Sequence, residues 1–80
     1  MDTTQTAAAL ATAVAIRTEK VAALEAVIQH GGPRARHAAM KAVEGAEQAV
    51  RFATADHEQA VRRSMPGAAE ADIMAAVYGA

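Results

Sequence analysis

The chain is 80 residues long with a mass of 8.2 kDa, enough for one domain at most. Its apolar fraction of 52% contains 24 alanines and leaves only 18 larger apolar residues. That makes a thin core, and without Cys neither a disulfide nor a thiolate metal site reinforces it, so self-association is expected. A net charge of −1 and a pI near 6.3 lack the global positive field of a nucleic-acid binder, while the apolar content argues against disorder.

The chain opens with its longest uncharged run, residues 3–16, which holds four threonines and a glutamine. It is too short and too polar to span a bilayer. Asp2 stands where a signal peptide would carry cations, so a cytoplasmic protein without membrane contact is expected. Residues 3–30 are rich in Ala, Leu, Glu and Lys, and Asp2 followed by Gln5 has capping-box spacing, which predicts a first helix over about 3–30. Within it Leu10, Val14, Arg17, Val21, Leu24 and Ile28 follow alternating steps of four and three, a heptad-like seam with Arg17 as its one charged member.

Gly31-Gly32-Pro33 predicts a tight turn. Gly31 suits a left-handed residue closing the first helix, and Pro33 suits the first position of a second helix over about 33–64. There Ala39, Ala42, Ala46, Ala49 and Ala53 repeat the same alternation, a methyl-lined seam that stabilises by letting another helix approach closely. Met65-Pro66-Gly67 predicts a second break, followed by a short helix over about 68–78. The turn at 31–33 is so short that the two long helices lie antiparallel. The expected fold is all-α: one helical-hairpin domain with a short C-terminal helix. Two helices bury one seam only, so the remaining apolar positions, Ile16, Val27, Phe52 and the row Ala8, Ala11, Ala15, Ala22, predict a homodimeric four-helix bundle.

Three candidate constellations stand out. Arg34, Arg36, His37 and Lys41 form a basic tip at the start of the second helix, where the helix dipole disfavours cations, on a body whose residues 42–80 sum to −3. An acidic protein partner would dock there; nucleic acid is the less favoured partner, because stacking aromatics are scarce. Arg17 in the seam calls for a carboxylate, and Glu47 is the candidate, with snorkelling of the Arg stem as the alternative. Asp56-His57-Glu58 point about 100° apart on a helix and read as surface polarity rather than a metal site. His57 also continues a row through Val50, Thr54 and Val61, but burial there is not expected.

No nucleophile motif, phosphate loop or cofactor signature appears, so neither enzymatic activity nor a cofactor or metal is expected. Function therefore rests on protein–protein interaction of adaptor, chaperone or inhibitor type, docking on a larger protein. Phage-encoded inhibitors of host machinery offer an analogy of size and shape. The alternatives are a nucleic-acid-binding dimer using the basic tip and a structural subunit of a helical assembly.

Overall fold

A computed structural model describes residues 2–79 of the chain. Three helices follow one another: α1 (Thr3–His30), α2 (Pro33–Ser64) and α3 (Glu70–Tyr78). α1 and α2 pack antiparallel along their lengths. α3 packs on α2 and stands clear of α1. The resulting molecule is a flat rod measuring 53 × 22 × 14 Å between Cα atoms.

The helix ends follow from local chemistry. Asp2 caps α1: its Oδ1 accepts the Gln5 N–H at 2.8 Å, and Gln5 Oε1 accepts the Asp2 N–H at 3.1 Å, so two otherwise unpaired donors are satisfied reciprocally. Gly31 closes α1, but in extended backbone (φ −102°, ψ 162°) rather than the expected left-handed form. Its need for glycine is one of space. A Cβ there would lie 2.7 Å from Val27 Cγ1 and 2.9 Å from the Val27 carbonyl oxygen. Pro33 then starts α2, where its missing N–H costs nothing. α3 begins two residues later than the sequence suggests, because Gly67 turns the chain at φ 80° and Ala69 remains extended (φ −64°, ψ 148°). Ala68, expected to be helical, instead packs under the loop against Val61.

The seam between α1 and α2 alternates in size. The contact between Thr6 and His57 at one end and the Gly31-Gly32 turn at the other fix the register. Leu10 then lies opposite Ala53, Ala13 opposite Val50, Arg17 opposite Ala46 and Leu24 opposite Ala39, so each bulky residue meets a small one and the helices interdigitate. This rotates the inward rows relative to the expected ones. Of the predicted packing residues, Ala46 is buried and Leu10, Val14, Leu24, Ala39 and Ala53 are half-buried, whereas Val21, Ile28, Ala42 and Ala49 are exposed. On α2, half-buried Val43 and Val50 take the inward places that the alanine stripe assigned to Ala42 and Ala49. Burying valine removes more apolar surface from water.

The densest packing sits at one end. Val61, Ile73 and Val77 are buried together, with Met65, Ala68 and Met74 around them. Arg62 ties the layers with a two-pronged hydrogen bond to Glu70, at 2.9 and 2.5 Å, and its Nε lies 3.5 Å from Glu58. Among the described residues no large side chain is fully buried, as expected of a core this poor in bulk.

Candidate functional site

Among the described residues six large apolar side chains remain exposed: Ile16, Val21, Ile28, Met40, Phe52 and Tyr78. Their placement is not random. On α1, Val14, Val21 and Ile28 recur every seven residues, each one position after a member of the row Ala13, Lys20, Val27. On α2, Met40, Glu47, Thr54 and Val61 likewise each follow Ala39, Ala46, Ala53 and Ala60. Both helices are right-handed and they run in opposite directions, so the position after the inward row emerges on the same side of the hairpin in each. Val14, Val21, Ile28, Met40 and Val61 therefore share one side.

α3 covers only part of that side. Val61, at the end opposite the turn, is 3% exposed beneath it, whereas Val21 is 36%, Ile28 52% and Met40 53% exposed. The charged side chains bordering the open part include Arg17 and Glu25 on α1 and Arg36, Glu44 and Glu47 on α2. The other side is flatter in relief, with Ala42 and Ala49 exposed around Ile16. Phe52, 62% exposed, projects away from both helices' contact.

The predicted tip residues are all exposed, but the structure does not hold them together as a single cluster. Arg36 folds back so that its Nη2 donates to the Ile28 carbonyl at 3.2 Å, covering a free carbonyl at the end of α1. Lys41 Nζ lies 3.9 Å from Glu44, an exposed pair of little energetic weight. Arg34 and His37 are left facing solvent. Arg17 lies opposite Ala46 and is half-buried, while Glu47 points to the open side and joins Arg17 in no ion pair. The anticipated seam pair is thus not formed. One position of rotation separates Glu47 from the inward row.

His57 is the main surprise. It is buried, and its Nδ1 lies 2.8 Å from Thr6 Oγ1. That hydroxyl is also 3.1 Å from the Asp2 carbonyl oxygen and 3.2 Å from that of Thr3. Its single hydrogen goes to one of these carbonyls, so all the contacts are used when Nδ1–H donates to Oγ1. Asp56 beside it is exposed and Glu58 leans to Arg62, and among the described residues no group of three His, Asp or Glu gathers as a metal site would require. A shallow open depression near this end is lined by Thr6, Asp56, Gln59, Ala60 and Arg63. Among the described residues no helix is long and apolar enough to cross a membrane.

No protein-family model, curated protein or solved structure matches this chain. What it does must therefore be argued from its surface.

Proposed function

We propose that the protein is a small non-enzymatic interaction module of adaptor, chaperone or inhibitor type, which docks on a larger protein through the open side of the hairpin. The observation behind this reading is the set Val21, Ile28 and Met40, held exposed on one side by a rigid helical pair. Apolar groups gathered on one side of a small soluble-sized rod mark a docking surface rather than scattered surface hydrophobicity. A helical partner surface laid along this side fits the spacing of seven between successive α1 residues. The basic tip adds attraction toward an acidic partner and speeds encounter rather than supplying affinity. Nucleic-acid binding through the tip has less support, because residues 30–41 carry only three full positive charges and no Phe, Tyr or Trp on which a base could stack.

A photo-crosslinking residue placed at position 28 or 40, and at the exposed control position 8 or 59, tests the reading in the source cell. Adducts to a larger protein, distinct in mass from a cross-linked pair of this chain and confined to positions 28 and 40, are expected. Equal labelling at all four positions, or labelling only at the controls, overturns it.

A further inference from the structure

We propose that in the free protein a second copy of this chain occupies the open side, antiparallel to the first, with a two-fold axis crossing at the level of Val21, and that a larger partner displaces it on docking. This rests on the reading of that side as a docking face, and it names the occupant.

Charge decides the orientation. Each hairpin carries three full positive charges in residues 30–41 at its turn and a net −3 in residues 42–80. Parallel docking sets the two basic tips side by side, whereas antiparallel docking lays each tip over Glu44 and Glu47 of the other copy. The register then follows from the side chains. Placing Val21 against its own copy brings Val14 against Ile28 of the second copy, and Met40 against the stem of Glu44. Under the same operation Arg17 meets Glu25 of the second copy, and Glu47 of the second copy falls beside His37, one residue from Arg36. Each pair occurs twice by symmetry.

α3 fixes where the second copy stops. It covers the end of this side at Val61 and Met65, so a docked hairpin occupies the stretch between α3 and the turn. That stretch runs about 25 Å from Val14 to the turn, and the hairpin is 22 Å across. Roughly 500 Å² per copy is covered, or about 1,000 Å² in all, which just reaches the size of a specific interface. A reversible dimer in the micromolar range is therefore expected, rather than a permanent one.

The chain lacks cysteine, so single-cysteine variants report the register cleanly. Oxidised Val21→Cys is expected to form a disulfide-linked dimer, because its Cα faces its own copy. Val14→Cys mixed with Ile28→Cys is expected to give the mixed dimer, while Val14→Cys alone stays monomeric, its two copies being some 20 Å apart. Sedimentation of the unmodified chain is expected to show a concentration-dependent monomer–dimer equilibrium. Val21→Glu, at an exposed position of the hairpin, keeps its helical circular dichroism and weakens that equilibrium by about tenfold or more.

A fully helical chain that sediments as a monomer throughout the micromolar range overturns the second copy as occupant and leaves the face open to another protein. A dimer that withstands Val21→Glu and fails to link through Val21→Cys lies elsewhere on the molecule, so it too overturns the second copy as occupant of this face and leaves the face open to another protein. Linking of Val21→Cys to Met40→Cys in place of its own copy shows parallel docking and overturns the antiparallel arrangement.

Discussion

Val21 and Val61 are valines on the same side of the same hairpin, yet one is 36% exposed and the other 3%. The difference is α3. At the end away from the turn, nine residues of helix cover the side and bring Ile73 and Val77 onto Val61, with Arg62 clamped to Glu70. Toward the turn nothing in the chain does the same, and Ile28 and Met40 stand in the open. A two-helix layer buries one seam, so a third element is needed wherever the second apolar row continues. Among the described residues that element is supplied over one end only. The covered end is therefore where its own stability concentrates, and the open end is where an outside surface gains most by docking.

Equivalent truncations at the two ends break or sharpen this contrast. Ile73→Ala removes a buried side chain from the α3 cluster and is expected to cost about 2–4 kcal/mol in urea unfolding. Ile28→Ala at the open end should cost less than about 1 kcal/mol at concentrations where the chain is monomeric, since most of the side chain already faces water. Similar losses at both positions would mean that the two ends form one equally packed core.

Next in size is the polar contact at the covered end. Thr6→Val keeps the shape and removes the acceptor, leaving the buried Nδ1–H of His57 unpaired, at an expected cost of about 1–3 kcal/mol. Adding His57→Leu removes the other partner and should recover part of that loss. A double-mutant cycle with no coupling between the two positions would show that the 2.8 Å contact carries no energy.

This contact also shows where sequence reading stops. The helix limits were legible because Gly, Pro and the Asp2–Gln5 box act over a few residues, and the three helices lie within two residues of their expected bounds. The facing rows were harder to read. Alanine lies on both sides of each seam, so a shift by one residue leaves an apolar pattern either way, and only the pairing of Leu10 with Ala53 or Leu24 with Ala39 selects the row that turns inward. His57 was read as surface because its partner lies 51 residues away, beyond any local spacing. The Arg62–Glu70 clamp went unseen because the late start of α3, which places it, depends on the Gly67 turn. Val21 and Ile28, assigned by their spacing to the α1 seam, are exposed instead, because the row that turns inward lies one position away.

The turn offers a smaller test of how tightly the open end is joined. Gly31→Ala puts a methyl group within 3 Å of the Val27 side chain and carbonyl. Backbone does not yield as a flexible side chain does, so a cost of about 1–2 kcal/mol is expected. Gly32→Ala meets nothing within 4 Å and has φ −87°, so it should be neutral or stabilise slightly by restricting the unfolded chain. Equal effects at the two glycines would contradict the close approach at Gly31.

The smallest expected effect concerns the clamp on α3. The Arg62 hydrogen bond holds the Glu70 carboxyl below its ordinary value of 4.5, and the same contact raises the Arg62 guanidinium. A carboxyl depressed in the folded state adds stability that is complete above its unfolded value and disappears as pH falls through its lowered folded value. The clamp is exposed to solvent, so its share is small and screened by salt. Acid should therefore loosen α3 before it unfolds the hairpin. Tyr78, the only tyrosine in the chain and the last residue of α3, provides the probe: its fluorescence should change below the ordinary glutamate range while far-ultraviolet circular dichroism still reports both long helices. In Glu70→Gln the early change should be absent, because the titrating group is gone. If that variant loosens at the same pH as the parent, another carboxyl governs the step, and the covered end is held by Val61, Ile73 and Val77 alone.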